Sequence, residues 1–148
     1  MLRQLSTVLI CAILLIGGIP HAVQANAQAT EIVNSLRAQN GRAALKYSRR
    51  LEKVALRHAQ DMKRQNRMTH KGSDGSDMGQ RARKSGYKYC YISENVALGP
   101  WDLNGVIRAW ANSKGHAKNM LNKKAREFAV AQAPGGFWVM LLAKPGCR

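Results

Sequence analysis

EFAVAQAPGGFWVMLLA, residues 127–143, reads as two strand-length stretches divided by a turn. Residues 127–133 are mostly apolar, with Glu127 and Gln132 as the polar members. Pro134, Gly135 and Gly136 break the run, because proline cannot donate to a ladder and glycine accepts turn dihedrals. Residues 137–143 are wholly apolar. The pattern predicts a late β-hairpin with a buried face.

Working back from the hairpin, the chain changes period. Leu103, Val106, Ile107 and Trp110 recur at helical spacing, after Gly99 and Pro100 have broken the chain. Residues 87–92 are aromatic and β-prone and read as a strand. Asp77 and Gln80 fit a capping box for a short helix that Gly86 closes. Residues 71–76 form a polar loop, and GSDGSD does not have the spacing or terminal glutamate of a calcium loop. Ser48 is placed to cap a helix to about residue 66, whose apolar stripe is Leu51, Val54, Ala55, His58 and Met62. On that stripe His58 reads as a core histidine. Residues 42–47 are a connector. Thr30 is placed to cap a first helix that Gly41 ends. Helices first and a sheet last predict an α+β domain, about four helices covering a small antiparallel sheet of about three strands. Tyr87, Tyr89, Tyr91, Phe137 and Trp138 are expected in sheet packing, and Trp101 is the aromatic expected at the surface.

The N-terminus has a different character. Arg3, then the apolar run of residues 8–16, then Gly17, Gly18 and Pro20, then small residues around Ala25, Ala27 and Ala29, read as a secretory signal peptide. The apolar run is too short to cross about 30 Å of hydrocarbon as a helix. The domain plan is a leader over residues 1–25, with cleavage as late as 29, and one domain over 30–148. No second apolar segment of spanning length follows. The protein is therefore expected to be secreted, either extracellular or periplasmic.

Cysteine and charge agree with export. Beyond the leader only Cys90 and Cys147 occur, an even number in an oxidising compartment, so a disulfide between them is expected. The 148-residue chain carries a formal charge of +16, of which Arg3 leaves with the leader. Such a field attracts anionic polymers and membranes. Nucleic acid is disfavoured by export, which leaves anionic glycans, teichoic acid-like polymers, lipid head groups or a membrane surface as partners, beside the alternative that the charge serves solubility alone. Oligomeric state is not set by these features.

Five strings then carry a family resemblance, in order: IVNSLRAQNGRAALKYSRRL (32–51); HAQDM (58–62) with MTHKGSDGS (68–76); SGY (85–87); SENVALG (93–99); and VIRAWANSKGHAKNML (106–121). Together they resemble the CAP superfamily of cysteine-rich secretory proteins, insect antigens and plant pathogenesis-related proteins, closest to its short bacterial members. The resemblance implies an α-β-α sandwich. It also implies a cleft of two histidines and two acids, which fall here on His70, Glu94 and His116, with Ser113 where the second acid is expected.

Two imidazoles and a carboxylate suit zinc, so His70, His116 and Glu94 are the implied metal ligands. Ser113 in place of a carboxylate and the positive field both weaken that site. Catalytic candidates are Glu94 as base toward a held water and Ser113 as a nucleophile with His116 as its base. Gly115 suggests a bend between those two. Ser113 reads better as an N-cap for the turn at 116–121. No nucleophile elbow and no HExxH motif is present. Three functions follow: a secreted domain binding a lipid-like, small apolar or anionic envelope ligand; a metal-assisted hydrolase of peptides or cell-wall material; and a charge-driven antimicrobial or membrane-active protein.

Overall fold

The structure is a computed structural model and describes residues 21–146. Residues 1–20 of the expected leader, and Cys147, lie outside the described residues. The elements run α1 (His21–Gln39), β1 (Lys46–Tyr47), α2 (Arg49–Gln65), α3 (Met78–Lys84), β2 (Tyr89–Leu98), α4 (Leu103–Ala111), α5 (Lys114–Met120), β3 (Glu127–Ala133) and β4 (Phe137–Pro145). The class is α+β, as expected.

The sheet order is β1-β3-β4-β2. The hairpin forms as read: β3 pairs antiparallel with β4, from Ala133↔Phe137 back to Glu127↔Ala143. β2 pairs antiparallel along the other side of β4 and is the outer strand. Gly136 holds the turn at φ +80, in the left-handed region that favours glycine. Its surroundings are tight, because its carbonyl accepts from Gly99 N at 3.1 Å and a Cβ there would strike the Gly99 carbonyl.

β4 is buried from Phe137 to Ala143 without interruption. Alternate residues serve opposite faces. Trp138, Met140 and Leu142 join Val33 of α1, Val106, Ile107 and Trp110 of α4, and Met120 of α5. Phe137, Val139, Leu141 and Ala143 join Leu51, Val54, Ala55, Ala59 and Met62 of α2, and Ala82 of α3. Helices thus cover both faces, giving three layers. A continuous apolar run is what a strand buried on both faces requires. The hairpin therefore has two buried faces, not one.

Five details differ from expectation. First, α1 starts at His21, and Thr30 lies inside it, its hydroxyl donating to the Asn26 carbonyl at 2.7 Å. The alanines and glutamines of residues 22–29 are good helix formers and extend the helix backwards. Second, the connector contains β1, which pairs in parallel with β3 and makes the sheet mixed and four-stranded. Two residues are too few to show a period. Third, β2 continues to Leu98, because Ser93, Glu94 and Asn95 are buried polar residues inside a strand. Fourth, residues 114–120 are a fifth helix, not a turn. Last, Gly115 sits within that helix, and the extended residue between α4 and α5 is Ser113. The capping box of α3 forms in full, Asp77 accepting from Gln80 N and Gln80 from Asp77 N. Gly41 and Gly86 take positive φ just past α1 and α3, as read.

Candidate functional site

The outer position of β2 decides where a site forms. Its free edge is reached from both helical layers. Asn119 of α5 donates to the Glu94 carbonyl at 3.2 Å and to Asn95 Oδ1 at 2.9 Å, and Asn95 Nδ2 donates to the His116 carbonyl at 3.3 Å. These bonds seat α5 against the strand. From the other layer come His58 of α2, the 68–76 loop with His70, and Arg81 of α3.

The Glu94 side chain is 1% exposed, and both its oxygens are engaged. Oε2 accepts from Arg81 Nη2 at 2.7 Å. Oε1 accepts from His70 Nδ1 at 2.9 Å and lies 3.9 Å from His58 Nε2. Arg81 is committed too: its Nη1 donates to the carbonyls of His70 and Ser76 at 3.0 and 2.8 Å, so it holds the loop as well as the acid. Asp61 does the same from α2. It accepts from Ser73 N at 2.8 Å, Ser73 Oγ at 2.7 Å and Arg64 at 2.8 Å. Burial pushes its carboxyl upward, but the hydrogen bonds from Ser73 and Arg64 outweigh this and hold it below the usual carboxylate range.

The three histidines are held in different states. His70, whose side chain is 59% exposed, is raised above 6.5, first by its hydrogen bond to Glu94. His58 is buried, and desolvation lowers it. Its Nε2 stands 2.9 Å from the Thr69 carbonyl, which can only accept, so the proton sits on Nε2. His116 is lowered by burial and by the charge of His70. Its Nδ1 stands 3.0 Å from Ser113 Oγ, and its ring lies 6.5 Å from that of Trp110.

The structure brings His70 onto Glu94 and His116 onto Ser113, with the two imidazoles close enough to influence one another. Ser113 occupies the N-cap position of α5, but its hydroxyl makes no capping bond and turns to His116 instead. Sequence reasoning does not single out Arg81, Asn95 or Asn119, although all but Arg81 stand inside the strings that carry the resemblance. His58 is a core histidine, as read, yet it also borders the site. Trp101 is exposed at 38%.

The donor set does not suit zinc as expected. Glu94 is bound by a guanidinium, and two imidazoles fall short of the three protein ligands that a catalytic zinc takes. Among the described residues no group of three or more His, Cys, Asp or Glu side chains is placed to hold a metal ion. Nor is any described helix long and apolar enough to cross a membrane.

Comparison with known proteins shows the family and the fold. Residues 30–142 match the model of the cysteine-rich secretory protein family, CAP. YkwD, an uncharacterized protein of Bacillus subtilis, is 30% identical over 118 residues, which are 79% of this chain and 46% of YkwD. Among solved structures, an extracellular protein containing an SCP domain from Bacillus anthracis superposes with a TM-score of 0.77 at 22% identity, over 86% of this chain and 45% of that one. An outer surface protein of Borrelia burgdorferi gives 0.74 at 24% identity, over 83% of this chain and 94% of that one. The chain thus spans less than half the length of YkwD and of the Bacillus anthracis protein.

Proposed function

The chain belongs to the CAP, or cysteine-rich secretory protein, family, and from that premise we propose that it is an exported binding domain for an anionic envelope ligand. One observation carries this reading: both oxygens of Glu94 are held, by Arg81 and His70. A base must be open to the proton it takes, and the Glu94 side chain is also only 1% exposed. Glu94 instead holds His70 at the surface and raises its affinity for a proton, which favours an imidazolium in the cleft. The +16 chain around it favours the same kind of partner.

Export is part of the proposal. The relatives named above include an extracellular and an outer-surface protein. The expected disulfide is supported by the end of β4, where the Pro145 carbonyl lies 3.9 Å from Cys90 Sγ, two residues before Cys147.

Retention of the exported chain on immobilised polygalacturonate and on poly(glycerol phosphate) tests the proposal. Binding should persist near 150 mM salt, where surface fields reach only about 8 Å. It should weaken as pH rises through the titration of His70, and His70→Ala should weaken it at neutral pH. Retention that salt abolishes and His70→Ala leaves unchanged would instead establish the charge-driven role. Uptake of fatty acid or sterol with no polyanion binding would establish the apolar-ligand role.

A second reading rests on its own observation. Ser113 Oγ lies 3.0 Å from Nδ1 of an imidazole kept neutral, which is the arrangement of a nucleophile beside its base. Acylation of Ser113 by a serine-directed phosphonate, abolished in His116→Ala, would support an acyl-transfer role. No modification of Ser113 would remove it.

A further inference from the structure

A groove of about 650 Å³ opens at the end of the sheet where β4 finishes. It takes Lys46, Arg49 and Arg50 from the passage of β1 into α2, and Lys88 from the passage of α3 into β2. It shares no residue with the cleft. Glu94 pairs with Leu141, whereas Tyr89, next to Lys88, pairs with Pro145, so the groove lies about 13 Å along β4 from the acid of the cleft.

All four cations are exposed, so a ligand can reach them. None has an ion-pair partner among the described residues. The carboxylate that lines the groove is Glu127, and its Oε2 already accepts from the Tyr87 hydroxyl at 2.7 Å. The groove between α2 and α3 is different. It also carries cations, but there Arg64 is paired with Asp61, Arg81 with Glu94, and Lys84 approaches Asp74. In that groove the chain's own acids answer the charge, and at the end of β4 they do not. Like charges gathered round one groove repel, and an anion seated among them relieves that cost.

We propose that this groove binds an anion with neighbouring phosphates, met by Lys46, Arg49, Arg50 and Lys88. Lysine and arginine side chains only donate hydrogen bonds. Ser48, which also lines the groove, makes no capping bond with its side chain, so its hydroxyl adds a further donor. A carboxylate offers two acceptor oxygens and one charge, whereas a terminal phosphate offers three oxygens and close to two charges. The phosphate is the better match for a site rich in donors and poor in acceptors. The groove goes beyond the cleft and does not depend on it, so either can fall alone.

Calorimetric titration of the full exported chain with inorganic tripolyphosphate, in about 150 mM salt, tests it. Citrate, a small carboxylate anion of comparable charge, is titrated beside it. Tripolyphosphate should bind one-to-one, and citrate several-fold more weakly. Arg49→Gln/Arg50→Gln should weaken tripolyphosphate about ten-fold, or roughly 1.4 kcal/mol. Both arginines stand in the first turn of α2, where positive charge opposes the helix dipole, so their loss should not unfold the chain. Lys63→Gln/Arg67→Gln removes equal charge at the far end of α2, about 20 Å away, and should leave the affinity unchanged. A short poly(glycerol phosphate) that displaces tripolyphosphate assigns the site to a phosphodiester polymer, and one that does not assigns it to a free oligophosphate. No binding of tripolyphosphate, citrate bound as tightly, or equal weakening in both double variants overturns the groove. Weakening by His70→Ala in place of Arg49→Gln/Arg50→Gln moves the phosphates to the cleft and overturns the groove alone. The cleft reading falls separately, if His70→Ala changes retention on neither polyanion while tripolyphosphate binding is intact.

Discussion

Glu94 is the residue through which the site's charges are set. Its side chain is 1% exposed beside Arg81 at 12%, so removing its charge strands a guanidinium in a dry place. Glu94→Gln should therefore destabilise the fold by about 3 kcal/mol, read from urea denaturation at pH 7. The same variant should lower the His70 pKa, because the bond to Glu94 is what raises it. A His70 titration by NMR that does not move would show that another group charges this ring. The pH dependence of stability follows. His70 is raised, so its contribution is complete below about 6.5 and is lost as pH climbs through the folded value. His58 and His116 are lowered, so they take up protons more readily unfolded, and stability falls as pH drops below about 6.5. In the native chain these slopes oppose one another. In Glu94→Gln only the second survives, so stability should fall more steeply between about pH 7 and 5.5; equal slopes would contradict the assignment. Residue types and family strings pointed to His70, Glu94, Ser113 and His116. Arg81 could not be read this way. It is one of many cations in the chain, and only its burial against Glu94 distinguishes it.

At the scale of elements, the hairpin, α2, α3 and α4 were legible because each has an unbroken period or a complete cap. β1, α5 and the far half of β2 were not. β1 is two residues long. The far half of β2 opens with Ser93-Glu94-Asn95, whose polarity mimics a loop until partners from both layers are known. α5 owes its place to tertiary bonds. Arg37 of α1 is buried, and its guanidinium donates to the carbonyls of Ala43 at 2.7 Å, Met120 at 2.6 Å and Asn122 at 3.2 Å. Two of those carbonyls end α5 or follow it. Arg37→Met keeps the bulk and leaves three acceptors unmatched, so it should cost about 2–3 kcal/mol by chemical denaturation. A loss under about 0.5 kcal/mol would mean that something else anchors α5. Gly136→Ala tests the hairpin in the same assay. A side chain at φ +80 is strained by about 1–2 kcal/mol, and its Cβ meets the Gly99 carbonyl, so the loss should exceed the strain alone. An unchanged midpoint would show that the turn relaxes.

For the molecule as a whole, the open matter is which part of the chain is the working protein, and α1 argues for one boundary. The expected cleavage sites after Ala25, Ala27 and Ala29 all fall inside this helix. They are not equivalent to the fold. Gln24, Ala25, Ala27 and Gln28 are exposed, whereas Ala29 is fully buried in the cluster with Val33 and Trp110. Asn26 stands between: its Nδ2 is 3.4 Å from Glu52 Oε2, and its carbonyl accepts from Thr30. Cleavage after Ala29 removes a core residue and both Asn26 bonds. Cleavage after Ala27 removes the bonds. Cleavage after Ala25 removes, among the described side chains, only the exposed Gln24 and Ala25, and it keeps both Asn26 bonds. The full 148-residue chain, expressed in a secreting host and weighed intact, should therefore begin at Asn26. Cys11 leaves with the leader, so the same mass should fall short of the dithiol form by the two hydrogens lost when Cys90 and Cys147 join, and reduction should restore them. A mature chain beginning at Thr30 would mean that Ala29 is dispensable to the core. An uncut chain in the cells would remove the premise of export, and with it the envelope as the place where this cationic domain meets its ligand.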